Sequence, residues 1–337
     1  MQNQGPVSLK DIARELNLSV STVSRAIRNV GEVNPETRTR VLELAKRYQY
    51  RPNPYSMSLL GNNTHTLGVI IPHIESYLYA SMLKGMNEAA SLKNYRILTI
   101  FSDDSQVGDS HAVDELLHRR VDGILACPAK DTIDIRIYKK VIEFKIPLVL
   151  YYRDLDELNV SSFITDNENA IYVVTKKLIE RGLHRIALIA SMEPLSEGNE
   201  RFNGYKRALL DYGISYRNEY IVHSTLNFST LLEAVKNLLN YPEPPQAILC
   251  NDDNAAMTIM KFLKENNIKI PEEISIIGYN DDPYSSFLTP SISTIAQPGY
   301  LIGYKAAEQI LYQVQNPKDA SSYKTILQSG FIERESS

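Results

Sequence analysis

The sequence predicts an α/β protein in two parts, a small helix-turn-helix head and a larger body of two doubly wound, mostly parallel sheets. Three observations predict it. Short capped amphipathic segments fill the first fifty residues. From Thr66 onward short apolar runs alternate with helix-length amphipathic stretches, the pattern of strands joined by crossover helices. At 337 residues the chain is also too long for one small core.

The head begins with Ser8-Leu9-Lys10-Asp11, a capping box with Asp11 at the third helical position. Leu9, Ile12, Ala13 and Leu16 then repeat at helical spacing. Asn17-Leu18-Ser19 interrupts the repeat, and Ser19 caps a second helix from Val20 to about Arg28. Ala13, Leu18, Val23 and Ile27 form the shared core of a tight two-helix corner. A corner of this kind puts the second helix N-terminus first into a DNA major groove. Val20, Ser21 and Arg25 then face outward, with Thr22 and Ser24 near phosphates. A third helix starts with Asn34 as cap and Pro35 in its first turn, and runs through Val41, Leu44, Ala45 and Tyr48.

Charge divides along the same line. Residues 1–61 hold nine Lys/Arg against five Asp/Glu, a balance of +4, which leaves the other 276 residues at −8 within a net −4. A basic head on an acidic body fits a chain that meets phosphate only with its head. The two cysteines, Cys127 and Cys250, each end an apolar run and read as buried thiols in a reducing compartment. No apolar run approaches a membrane span, and the polar start Met1-Gln2-Asn3-Gln4-Gly5-Pro6 does not read as a secretion signal, so a cytoplasmic location is expected.

In the body, the apolar runs 67–71, 96–101, 123–127, 147–152, 185–190, 247–250 and 274–277 read as strands. Seven or more over some 270 residues suit two sheets better than one. Ligands of such sheets bind beyond the carboxyl ends of the strands. Those ends read Pro72-His73-Ile74-Glu75-Ser76-Tyr77-Leu78-Tyr79, Arg153-Asp154, Phe163-Ile164-Thr165-Asp166-Asn167, Asn251-Asp252 and Gly278-Tyr279-Asn280-Asp281-Asp282. Arg201-Phe202-Asn203-Gly204-Tyr205 opens the helix after the 185–190 run. Aromatic faces beside Arg, Asp and Asn suit sugars or other small polar rings, which need stacking and paired hydrogen bonds.

Together these stretches resemble the lactose/galactose-repressor family of transcriptional regulators. In the head the resemblance rests on Leu9-Lys10-Asp11-Ile12-Ala13, Val20-Ser21-Thr22-Val23-Ser24-Arg25 and Tyr50-Arg51-Pro52-Asn53. It continues to Ile295-Ala296-Gln297-Pro298 and Phe331-Ile332-Glu333-Arg334, essentially the whole chain. The resemblance implies a head over residues 7–52, a hinge helix and linker over 53–65, and an effector-binding and dimerisation core over 66–335. That core is similar to periplasmic sugar-binding proteins, with an N-lobe of about 66–163 and 297–325 and a C-lobe of about 166–294 and 327–335. It further implies a ligand-responsive regulator, a repressor of a carbohydrate-related operon, that binds a palindromic double-stranded operator as a homodimer. A small-molecule effector, a sugar or sugar derivative or else a purine, sits between the lobes.

By the same resemblance Val20, Ser21 and Arg25 read bases, Arg25 as a bidentate partner of guanine. Asn53, Ser56 and Leu59 belong to the hinge helix, with Leu59 placed as a minor-groove wedge. Ser56 stands where alanine is usual, and Met57 where arginine is frequent. Tyr77, Leu78, Tyr79, Arg153, Asp166, Arg201, Asn251 and Asn280 face the effector. Tyr152 replaces the acid of an Asp-Arg turn, and Asn280 replaces an aspartate many members carry, which removes a charge from the cleft. The chain stops soon after Arg334 without a leucine-heptad tail, so a dimer is expected rather than a tetramer.

Competing classes fit less well. The sequence has no G-x-G-x-x-G, P-loop, G-x-S-x-G or H-E-x-x-H motif, and its six histidines lack ligand spacing, so no enzyme, metal or cofactor is expected. A Rossmann-like enzyme leaves the basic head unexplained. A transport-type sugar-binding protein has a secretion signal and no helix-turn-helix.

Residues 53–60 make about two helical turns, too few to be stable alone, so the hinge helix should order only on the operator. Leu59→Ala is therefore expected to weaken operator binding severely and flatten the operator bend, with effector affinity unchanged. Circular-permutation gel mobility measures the bend. A mutant that bends DNA as strongly as the parent would make Leu59 only a linker residue.

Overall fold

In a computed structural model of the chain, residues 7–50, 63–191, 193–195, 197–223, 228–319 and 321–337 are described. They divide into two compact units, residues 1–64 and 65–337. The hinge positions Asn53, Ser56, Met57 and Leu59 lie outside the described residues.

The head contains α1 (Leu9–Glu15), α2 (Val20–Arg28) and α3 (Pro35–Arg47). The expected caps are present. The Asp11 carboxylate accepts from the Ser8 N–H at 2.9 Å and the Ser8 hydroxyl at 2.6 Å. The Ser19 hydroxyl accepts from the Thr22 N–H at 3.1 Å, and the Asn34 side chain from the Glu36 N–H at 2.9 Å. Each satisfies a donor that the first helical turn leaves open. The corner turns at Asn17, whose φ of 52° lies in the left-handed region that Asn tolerates. Ile12, Ala13, Val23, Ala26, Val41, Leu44 and Ala45 fill the core, with Leu18 and Ile27 packed against it.

The second unit holds two six-stranded sheets. The first joins β1 (Thr66–Ile71), β2 (Arg96–Phe101), β3 (Gly123–Ala126), β4 (Leu148–Tyr152), β5 (Ser161–Thr165) and β11 (Lys324–Leu327), in the order β11-β5-β4-β3-β1-β2. Every pairing in it is parallel. The second joins β6 (Ile186–Ala190), β7 (Ile221–His223), β8 (Ala247–Leu249), β9 (Ser275–Tyr279), β10 (Ser293–Ala296) and β12 (Gly330–Ile332), in the order β12-β10-β9-β8-β6-β7. Only its edge strand β12 is antiparallel. The chain passes between the sheets after β5, β10 and β11, which makes two lobes tied by three crossings.

The connecting helices explain why these strands read as continuous apolar runs. In the first lobe they are α4 (Tyr77–Leu92), α5 (Gln106–His118), α6 (Arg136–Glu143) and α11 (Gly299–Gln315). In the second they are α7 (Asn167–Glu180), α8 (Gly198–Asp211), α9 (Phe228–Leu239) and α10 (Asp253–Glu265). A parallel strand covered on both faces has no solvent side, so β1 buries all of Leu67–Ile71 rather than every second residue. Its Val69 sits between Thr99 of β2 and Leu125 of β3. Two apolar clusters cover the faces of each sheet. Helices α4 and α11 approach closely at Gly303, where a Cβ would lie 1.9 Å from the Met82 carbonyl oxygen.

All seven predicted runs are strands, with ends within two residues of those read. Five of the twelve described strands were not among the runs read: β7 and β12 are three residues long, too short to show a period, and β5, β10 and β11 mix Ser, Thr or Lys with their apolar residues. No described helix is long and apolar enough to cross a membrane.

Candidate functional site

In the head, the predicted base-reading residues Val20, Ser21 and Arg25 are exposed on one face of α2, while Thr22 and Ser24 are half-buried. Val23 and Ala26, between them in sequence, point into the core. The helix begins at Ser19, whose side chain both caps it and meets the Thr22 hydroxyl at 2.8 Å. Caps and core thus fix α2 rigidly and leave its first turn and Arg25 free to meet a ligand.

In the body, a cavity of about 100 Å3 lies between the two lobes. Its walls are strand ends: His73 after β1, Asp104 after β2, Lys130 after β3, Arg153 after β4, Ser191 after β6, Asn251 and Asp252 after β8, and Asn280 after β9. Of the eight residues predicted to face an effector, six line it: Leu78, Tyr79, Arg153, Arg201, Asn251 and Asn280. The structure places two elsewhere. Tyr77 opens α4 and is 46% exposed, since successive helical residues point about 100° apart and Tyr79 takes the inward direction. Asp166 caps α7, its carboxylate accepting from the Asn169 N–H at 2.9 Å.

Arg201 reaches the cavity because α8 starts hard against the end of β6. A Cβ on Gly198 would lie 1.5 Å from the Ser191 carbonyl oxygen, so only glycine allows that approach. The Arg201 guanidinium is 5% exposed and lies 3.7 Å over the Tyr279 ring. Its Nη1 donates to the Asn251 carbonyl at 2.7 Å. Burial works against its charge, but Tyr279, Tyr152 and the Glu197 and Asp252 carboxylates outweigh that and raise its pKa. Arg201 Nε and Asn251 Oδ1 are both buried without a hydrogen-bond partner. A donor and an acceptor left open in one cavity are costly unless a bound group fills them.

On the facing lobe the Arg153 guanidinium, 7% exposed, is fully engaged. Nη1 donates to Asp104 at 2.5 Å and to the Pro128 carbonyl at 2.9 Å, and Nε donates to Glu197 at 2.7 Å. Tyr79 packs edge-on against both His73 and Tyr152. Asn280, at φ 99°, accepts from Gln297 Nε2 at 2.8 Å. A second cavity of about 270 Å3 adjoins the first and shares Tyr152, Arg153 and Glu197 with it. Asp104, Lys130 and Glu197 were missed in the sequence. The first two follow predicted strands and yield to the same strand-end rule, while Glu197 stands one helical turn before Arg201.

Asp253, at the start of α10 beside the cavity residue Asp252, accepts from the Thr294 hydroxyl at 2.7 Å and the Asp282 N–H at 2.6 Å. Burial is the larger effect and pushes its pKa up from 3.8 to about 7. The folded form therefore binds the proton more tightly than the unfolded chain. Stability from this group is greatest below its ordinary pKa and is lost as pH rises towards 7. Asp253→Asn should gain stability relative to the parent between about pH 5 and about pH 8, measured by urea unfolding. A stability difference that does not change with pH would contradict this.

Comparison with known proteins agrees in both units. The family described as bacterial regulatory proteins, lacI family, matches residues 8–53. Periplasmic binding proteins and sugar binding domain of LacI family match residues 64–335. The chain is 32% identical over 321 residues to catabolite control protein A of Priestia megaterium, covering 94% of this chain and 95% of that one. It is 30% identical over 308 residues to the HTH-type transcriptional repressor CytR of Escherichia coli, covering 91% and 90%. Among solved structures, the lac repressor dimer bound to operator and the anti-inducer ONPF shares the fold. Its TM-score is 0.85 at 22% identity, over 98% of this chain and 99% of that one.

Proposed function

The chain belongs to the lacI family of bacterial regulatory proteins, and on that premise we propose that it is a DNA-binding transcriptional repressor whose grip on a palindromic operator is set by a small polyhydroxylated effector held between its lobes. Its relatives are transcriptional regulators. The basic head with Val20, Ser21 and Arg25 of α2 exposed, and the interlobe cavity at the strand ends, are the two surfaces such a regulator needs. In this reading Val20, Ser21 and Arg25 contact bases, Thr22 and Ser24 contact phosphates, and Asn53, Ser56 and Leu59 act in the hinge. The working form is a cytoplasmic homodimer, because two-fold symmetry in the protein mirrors the palindrome.

The observation that carries the effector reading is the open pair on the cavity wall, Arg201 Nε and Asn251 Oδ1. A hydroxyl can accept from the first and donate to the second, which a carboxylate or an alkyl group cannot. Tyr79 lines the same cavity with an aromatic ring. Sugars and their derivatives combine these features. The cavity carboxylates Asp104 and Glu197 are tied to Arg153, so the site reads as a binding cleft and not as a reaction centre.

A thermal-shift screen of sugars, sugar phosphates and purines tests this, since a ligand at a hundred times its Kd stabilises the fold by about 2.7 kcal/mol. Arg201→Ala is expected to weaken the stabilising ligand at least about tenfold in calorimetry, the loss of one charge-assisted hydrogen bond. Operator binding without ligand should be intact. Unchanged ligand affinity in the mutant would remove Arg201 from the site.

A further inference from the structure

Each guanidinium nitrogen of Arg153 has a protein partner, closely at Nη1 and Nε and at 3.4 Å from Nη2 to Tyr79 and Asp104. Asp104, Pro128 and Tyr79, which take its Nη1 and Nη2, all belong to its own lobe. Glu197, which takes Nε, is the one that comes from the opposite lobe. The same C-lobe segment makes two more contacts across the gap. Lys130 pairs with Glu193 at 3.2 Å, and the Leu195 N–H donates to the Lys130 carbonyl at 2.8 Å. The side chains of Arg153, Asp104 and Glu197 are only 6%, 15% and 13% exposed. Water and salt therefore screen their attraction weakly.

We propose that Glu197 is a built-in competitor of the effector: its carboxylate reaches across the cleft to Arg153, latches the lobes together when no ligand is bound, and must leave Arg153 before a ligand can span both lobes. The bridge also stands between the two cavities, since Tyr152, Arg153 and Glu197 line both. Releasing it removes one of the three side chains that stand between them. Asp104 stays on Arg153 when Glu197 leaves, so the guanidinium keeps a counter-charge and the incoming group needs only an acceptor oxygen. Leu195 and Glu193 hold the segment in place, which makes them positioning residues for the latch.

The competition with a ligand rests on the effector reading above. The latch does not, and it is tested with no ligand present, so the two can fail separately. Spin labels at Ile133→Cys in the N-lobe and Leu210→Cys in the C-lobe report the interlobe distance in the full chain. Both sites are well exposed, at 79% and 56%, and the native Cys127 and Cys250 are buried. Labelled chain is diluted with unlabelled chain so that pulsed electron-spin measurements see pairs within one protomer.

The parent should give one short, narrow distance, and Glu197→Gln should lengthen its mean by more than about 2 Å or broaden it markedly. A Glu197→Gln chain with an unchanged circular-dichroism melt and a distribution that superimposes on the parent's overturns the proposal. If that variant does not fold, Glu197→Asp, one methylene too short to hold its 2.7 Å contact with Arg153, reads the same distance. A distribution unchanged there overturns the proposal equally.

Discussion

A parallel strand brings its carboxyl end to the same side of the sheet as its neighbours', and a body made of two such sheets has two rows of these ends. Three chain crossings tie the two sheets, and most polar groups of the cleft stand just beyond strand ends, with Tyr79 and Arg201 on the helices that follow. Because the strands are covered on both faces, their interiors are mostly apolar, and the polar residues among them, such as Ser161, Ser293 and Thr294, are buried. The side chains that can differ in kind are those just beyond the ends. The cavity therefore draws on His73, Asp104, Arg153, Asn251 and Asn280 from five different strand ends, though they are scattered over some two hundred residues of sequence.

Two buried guanidiniums, one from each lobe, line that gap and are treated in opposite ways. Arg153 is neutralised twice over, by Asp104 and Glu197. Arg201 has no carboxylate in direct contact, only a backbone carbonyl and the Tyr279 ring, and it keeps Nε open. Leaving a buried charge without an ion-pair partner costs more than leaving a neutral group unmet. Electron-rich rings reduce that cost, and a ligand reduces it further. A neutral Asn280 fits the same balance, since the cleft already holds Asp104, Glu197 and Asp252 against Lys130, Arg153 and Arg201.

Much of this was legible in the sequence for a physical reason. Buried parallel strands must be short apolar runs, so 67–71, 123–127 and 147–152 declared themselves, and the capping residues Ser8, Ser19 and Asn34 marked the three head helices. Six cavity-lining residues followed from reading the strand ends together with the family resemblance. Tyr77 and Asp166 ended elsewhere because local geometry intervened. A helix beginning at Tyr77 cannot aim Tyr77 and Tyr79 the same way, and a residue capping α7 spends its carboxylate on backbone N–H groups. Glu197 was invisible because its partner Arg153 is 44 residues away and no periodicity links them.

The account as a whole makes the cleft and the operator two sites on one equilibrium, and linkage then demands reciprocity. The direct measurement is operator Kd with and without a saturating ligand, paired with ligand Kd with and without saturating operator DNA. The account predicts that the two ratios are equal, of the order of 5- to 150-fold as for other coupled sites. A ligand that binds the cleft and stabilises the body, yet leaves operator affinity unchanged, would contradict it.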